Sequence, residues 1–254
     1  PHPLFFLPPQ PANPDPLWSR GLGDVYKRQG PPFDWPPYRE VREDESAVAH
    51  IRYMYAALIT YCDQQLGRVL DAFDRYDLWS DTMLLVNTDH GFLMGEHDWW
   101  AKVVTPFFQE IAHIPFWAYD PRFPDCVDER RQSLTQTIDL APTILDFFEL
   151  PMTADMQGYR LTGRLLTDQP VRKAGLYGVM GGQVNVTDGK YVYMRAPVRE
   201  DNSPLFEYTL MPSHMKKMFS PKELQEWEKV DGFSFMKGCQ VMKIPSRTLR
   251  PVSY

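Results

Sequence analysis

The chain has 254 residues and a formal net charge of -6, with 43% hydrophobic and 24% charged residues. This describes a globular chain that can build a sizeable core without disulfides. No apolar run approaches the roughly 18 residues of a membrane helix, and Lys and Arg are too scattered for a nucleic-acid surface. Eleven of the 24 prolines fall within residues 1–37, so the chain opens with one kind of sequence and continues with another. Cys62, Cys126 and Cys239 are odd in number and far apart, without CxxC or metal-type spacing. They read as free, buried thiols.

Residues 1–37 carry no period beyond the run Leu4–Leu7. Asp24-Val25-Tyr26-Lys27-Arg28-Gln29 is similar to what one reading frame of a transposase mosaic-end adapter encodes. Residues 1–29 therefore read as an unreliable Pro-rich segment of a metagenomic reading frame. Arguments about domains start near residue 30.

From Ala47 to about Tyr76 apolar residues recur at three and four, which predicts a long amphipathic helix. Glu43, Asp44, Glu45 and Ser46 supply acidic and capping residues at its start. Thr82–Asn87 is a continuous apolar run and predicts a strand buried on both faces, as in a parallel sheet. Thr105-Pro106 predicts the opening of a short helix from Phe107 to about Ile111. Ile114–Tyr119 predicts a second strand. Asp139 predicts the cap of a helix over Leu140–Glu149. This order is that of an α/β fold. Beyond about residue 170, strand-like runs at Leu176–Met180, Gln183–Thr187, Lys190–Arg195 and Leu205–Leu210 predict an antiparallel α+β subdomain. Asp188-Gly189 is a tight turn within it. Ser220-Pro221-Lys222-Glu223 is a capping box for a helix of about ten residues.

The densest chemistry lies between Asp89 and Lys102. Asp89 and His90 sit at the carboxyl end of a predicted strand, where α/β sheets gather ligands. Side by side, a carboxylate and an imidazole can share a divalent cation. Lys102 can supply positive charge to an anion held there. Alone, the Asp-His pair is equally a strand-end turn with a solvated His.

The surroundings change that balance. Tyr55-Ala56-Ala57-Leu58, Leu66-Gly67-Arg68, Asn87-Thr88-Asp89-His90-Gly91, Leu93-Met94-Gly95-Glu96-His97, Trp100-Ala101-Lys102, His113-Ile114-Pro115 and Asp139-Leu140-Ala141-Pro142-Thr143 occur in order. From about Phe33 to Leu166 the chain resembles the type I sulfatases (arylsulfatases) of the alkaline phosphatase superfamily. The twelve-residue step from His90 to Lys102 matches that family's spacing. The resemblance implies an α/β sulfatase-like sheet with flanking helices, present in part. Residues 30–168 would be the C-terminal part of that domain, and 169–254 a small antiparallel subdomain. It implies that Asp89 and His90 ligate one divalent metal, Ca2+ first and Mn2+ or Mg2+ as alternatives. It implies that Lys102 contacts a sulfate oxygen, and that the substrate is a small-molecule sulfate ester. His97 is either on the substrate side of the site or structural. His113 reads as packing and His50 as structural. His214 could approach the cleft from the tail.

The family's nucleophile is a formylglycine made in a Cys/Ser-x-Pro-x-Arg motif, which this sequence lacks. The chain begins at Pro1 and reads as a C-terminal fragment, inactive alone. Its two strands would lie without neighbours and favour aggregation. A phosphonate monoester or phosphodiester hydrolase of the same superfamily is the second reading. A non-catalytic paralogue that binds metal or a partner is the third. Neither nucleic acid nor membrane is expected as a partner. Oligomeric state is not legible, and the compartment is left between bacterial cytoplasm and periplasm.

Overall fold

The computed structural model describes residues 36, 38–102, 105–163, 167–179, 181–199, 201–214 and 217–246. Most of the Pro-rich stretch, including its adapter-like segment, lies outside these residues.

Helix α1 runs over Glu45–Arg75. The Asp44 carboxylate accepts the Ala47 N–H at 2.8 Å, which stops the backbone from continuing upstream as helix. Glu45 in the first turn and Arg75 in the last complement the helix dipole. Its apolar stripe is covered mainly at the C-terminal end. There Phe73 is buried, Phe73 and Trp79 lie 4.7 Å apart, and Trp79 and Tyr119 lie 4.9 Å apart. Tyr53 and Ile59 are exposed. Among the described residues no helix is long and apolar enough to cross a membrane.

Strand β1 (Leu84–Asn87) pairs antiparallel with β4 (Phe116–Tyr119), Leu84 opposite Tyr119 and Asn87 opposite Phe116. This corrects the parallel, doubly buried expectation. The apolar run reports a need for cover but carries no information on strand direction. Both strands are half-buried to exposed, and each has the other as neighbour. Between them, β2 (Leu93–Met94) and β3 (Trp100–Ala101) form a short hairpin whose four residues are all buried. Trp100 has no exposed surface. Its N–H donates to the Arg39 carbonyl at 2.9 Å and its indole N–H to Glu43 at 2.8 Å. Burial pushes the Glu43 carboxyl up, but bonds from the Arg42 N–H, the Trp100 indole and the Arg39 guanidinium outweigh it and hold the group at about 2.

Helix α2 is the single turn Gln109–Ala112. Its N-cap is Phe108 rather than Thr105, whose hydroxyl instead donates to the Pro106 carbonyl at 2.7 Å. Helix α3 (Leu140–Phe147) follows a 3-10 turn over Thr137–Asp139. Asp139 does not cap α3 with its side chain. Its carboxylate is fully buried and accepts the N–H groups of Gln136 and Tyr159, both at 2.8 Å. Arg172, 7% exposed, grips both of its oxygens, one at 2.6 Å. Despite burial, the Arg172 bond and those two N–H groups hold the Asp139 carboxyl below its ordinary value.

The C-terminal part is antiparallel, as the sequence predicts, and its strands form two sheets. One contains β5 (Gly175–Gly178), β6 (Val184–Thr187) and β7 (Val192–Arg195) in that order. The Asp188-Gly189 turn joins the last two. Gly189 has φ +91°, and Asp188 accepts the N–H groups of Lys190 and Tyr191. The other sheet contains β8 (Phe206–Thr209), β9 (Glu228–Asp231) and β10 (Gln240–Pro245) in the order β8-β10-β9. The capping box forms between Ser220 and Glu223. Helix α4 (Glu223–Glu226) is shorter than expected, because the chain is already extended at Trp227 and enters β9. The three cysteines are free, but Cys62 and Cys239 are exposed and Cys126 is half-buried, correcting the buried expectation. Cys62 lies on the uncovered part of α1.

Asp139→Asn leaves the Arg172 charge buried and half-partnered. It should destabilise the chain by about 3–5 kcal/mol in a urea melt. Acid should act in the same direction. Because the Glu43 carboxyl falls from 4.5 to about 2 on folding, its stabilisation is complete above pH 4.5 and is lost as pH falls toward 2. Glu43→Gln should flatten this part of the pH–stability profile.

Candidate functional site

Three elements bring the site together. Strand β1 ends at Asn87, and Thr88, Asp89 and His90 follow at its carboxyl end. Asp89 is 81% exposed. Its Oδ1 accepts the His90 N–H at 3.0 Å, which turns the chain there. The next residue must be small. A Cβ on Gly91 would stand 1.8 Å from the Glu110 carbonyl oxygen. The Gly91 N–H donates to the Ile111 carbonyl at 2.8 Å. The Asp-His turn is thereby seated on α2.

His90 Nδ1 lies 2.8 Å from the Gly91 carbonyl. A carbonyl oxygen only accepts, so Nδ1 carries a proton, and an ammonium only donates, so Nε2 presents its lone pair to Lys102. That lone pair lies 3.2 Å from Asp89 Oδ2. Lys102 Nζ donates to the same Nε2. Asp89, His90 and Lys102 are therefore together.

Lys102 arrives by way of β3, and the loop before it is unusual. Gly95, His97, Asp98 and Ala101 all have positive φ, at +97°, +56°, +61° and +75°. His and Asp tolerate the left-handed region better than Ala, which has no local hydrogen bond to offer. Such a conformation persists only when its surroundings over-determine it. Here they do: Arg52 Nε donates to the Met94 carbonyl at 2.8 Å, Arg52 pairs with Glu96 at 3.5 Å, and Trp100 is locked by Glu43.

His97 turns to α2. Its ring stacks on Phe108 at 3.9 Å, and its Nε2 lies 3.0 Å from Glu110 Oε1. Its contacts are with Phe108 and Glu110 rather than with Asp89, His90 or Lys102, and Glu110 joins it to their turn. Glu110 is the residue the sequence reading missed. It lies 13 positions from His97 in no helical or strand register, so no periodic signal could point to it. Glu43 carried a local signal, its i,i+4 pairing with Arg39. His113 is exposed and bonded to Gln109 at 3.0 Å, rather than packed inside. His50 is exposed on α1. His214 stands in the C-terminal part between Glu207 and Glu223, not with Asp89. Among the described residues no group of three or more His, Cys, Asp and Glu could hold a metal ion. Asp89 and His90 therefore form a two-donor set.

The chain is similar to several sulfatases. It is 29% identical over 122 residues to an arylsulfatase of Clostridium perfringens, covering 46% of this chain and 24% of that protein. It is 30% identical over 142 residues to the iduronate 2-sulfatase of Homo sapiens, covering 50% and 24%. It is 31% identical over 114 residues to the multifunctional alkaline phosphatase superfamily protein PehA of Trinickia caryophylli, covering 44% and 22%. The chain thus spans about a quarter of the length of these relatives. The family model described as Sulfatase matches residues 5–150, a span that begins before Phe33 and includes Asp89, His90, His97 and Lys102. That match takes in more than half of the sequence, and the chain belongs to the sulfatase family.

Proposed function

We propose that this chain carries the cation-binding and sulfate-binding side of a sulfuric ester hydrolase site that acts on small-molecule sulfate monoesters. The observation that carries the reading is the convergence of Asp89 Oδ2, His90 Nε2 and Lys102 Nζ at the end of β1. In this reading Asp89 and His90 hold one divalent cation. The donor set fits such an ion. Asp89 Oδ2 and His90 Nε2 lie 3.2 Å apart, close enough to share one ion, which would take the place that the Lys102 ammonium now holds beside Nε2. The Gly91 carbonyl fixes the tautomer that leaves Nε2 available. One carboxylate oxygen and one imidazole nitrogen admit Ca2+, Mn2+ or Mg2+, with the nitrogen favouring Mn2+ over the other two. Bound there, the ion supplies charge stabilisation to the oxygens of the ester. Lys102 orients the anion as a compact point charge. His97, paired with Glu110, stands on the substrate side.

The nucleophile belongs to another segment in this proposal. No Cys/Ser-x-Pro-x-Arg motif occurs in the 254 residues, so the chain by itself binds but does not turn over substrate. The second reading is a phosphonate monoester or phosphodiester hydrolase. The likeness to the multifunctional alkaline phosphatase superfamily protein favours keeping it.

Calorimetric titration of the chain with Mn2+ and with Ca2+ should show a single binding event, abolished by Asp89→Asn and by His90→Ala. No binding of either ion to a folded chain would sink the metal assignment. In a longer polypeptide that carries the nucleophile motif, Lys102→Ala should lower kcat/KM by about 10²–10³. Paired aryl sulfate and aryl phosphate esters then decide between the two readings. Faster turnover of the phosphate ester would overturn the first.

A further inference from the structure

The C-terminal part holds a histidine arrangement unrelated to the Asp89 site. Residues 212–214 pair with residues 217–219. Ser213 bridges Met218, the His214 N–H donates to the Lys217 carbonyl at 2.7 Å, and the Phe219 N–H donates to the Pro212 carbonyl at 2.8 Å. The His214 ring lies 4.8 Å from the buried Phe219 ring. Its Nδ1 faces Glu207 of β8 at 2.7 Å, and its Nε2 faces Glu223 of α4 at 2.9 Å. All three side chains are less than a quarter exposed.

A carboxylate only accepts hydrogen bonds. A neutral imidazole has a single N–H. Both contacts can be hydrogen bonds only when the ring is the imidazolium. Loss of one proton sets a nitrogen lone pair against a carboxylate at hydrogen-bond distance. We propose that His214 is a proton-operated latch that fastens the paired residues 212–214 and 217–219 to β8 and α4, and releases them as the ring is deprotonated.

The groups around the ring support the assignment. Ser246, following β10, donates its hydroxyl to Glu207 at 3.1 Å. The Ser220 N–H and hydroxyl both donate to Glu223, at 2.7 Å. These bonds hold both carboxylates in place. Lys243, the other charged side chain of β10 near this end, is bonded to Glu228. Lys217 meets the latch through its backbone carbonyl. Hydrogen bonding by Glu207, partly opposed by burial and assisted by Glu223, pushes the His214 ring above its ordinary 6.5. A group raised on folding stabilises the fold fully below its unfolded value, and that contribution is lost as pH rises through the folded value. The latch therefore closes in mild acid and opens in base. What it releases carries exposed Met211 and Met218, flanked by Lys217.

Long-range proton–nitrogen NMR of the imidazoles in the wild-type chain tests this directly. His214 should show both nitrogens protonated at pH near 6 and should titrate above 6.5. Amide exchange in residues 213–224, corrected for its intrinsic pH dependence, should rise about threefold from about pH 6 to about pH 9, the worth of one partly exposed charge pair. The amides of Val241 and Ile244 serve as the reference. Glu207→Gln and Glu223→Gln should each bring the titration down. A wild-type ring that titrates at or below its ordinary value overturns the latch, as does an exchange ratio that stays flat with pH. The wild-type titration decides the question even if a variant fails to fold.

Discussion

The bond from the Trp100 indole to Glu43 is the constraint on which the site-bearing half depends. It joins the residue before the α1 cap to the middle of a hairpin that has no other long element to lean on. A two-residue strand such as β3 has too few ladder bonds to hold itself. A fully buried Trp with its one polar atom satisfied supplies the missing anchor. Lys102 is two residues further along, so its position is inherited from that anchor. Arg39 and the Arg42 N–H hold the carboxylate from the other side. The cluster thus converts charge at the head of a helix into placement of a lysine at the end of a strand.

A second node governs the passage to the C-terminal sheets. Asp139 and Arg172 are buried together, with Gln136, Tyr159 and Leu134 as further backbone partners. Ion pairs of this kind contribute little net stability compared with apolar packing. Their value is geometric, because only one arrangement satisfies every oxygen and every N–H. Asn185 adds a lighter tie, its amide donating to the Phe107 carbonyl at 3.1 Å. The coil at Phe107, ahead of α2, is thereby tied to the first sheet of the C-terminal part.

What could be read beforehand followed the range of the interactions involved. The start of α1 was legible because Asp44 acts three residues away. The Asp188-Gly189 turn was legible because it closes on itself. Asp89, His90 and Lys102 were legible as a spacing that the family resemblance gave meaning to. The direction of β4 relative to β1 was not, since an apolar run looks the same to either neighbour. The role of Asp139 was misread for the same reason. A local cap and a buried ion pair use the same residue, and Arg172 is 33 positions away. Strands β9 and β10 were missed because their burial alternates irregularly along short, mostly polar stretches. The partner of His97, Glu110, was not legible either, because it lies 13 positions away in no periodic register.

Gly91 and Gly67 look alike in the sequence, yet they constrain its drift in opposite ways. At Gly67 an added methyl group meets nothing within 4 Å. That position is free to change, and alanine there would favour the helix. At Gly91 the backbone of α2 already occupies the space a side chain would need. The Asp-His turn and α2 therefore behave as a single rigid body, with no soft layer between them. Variation that alters what this part of the fold accepts must enter on the open side, through Asp89 and the loop bearing His97. The closed side can change only if the turn and the helix change together.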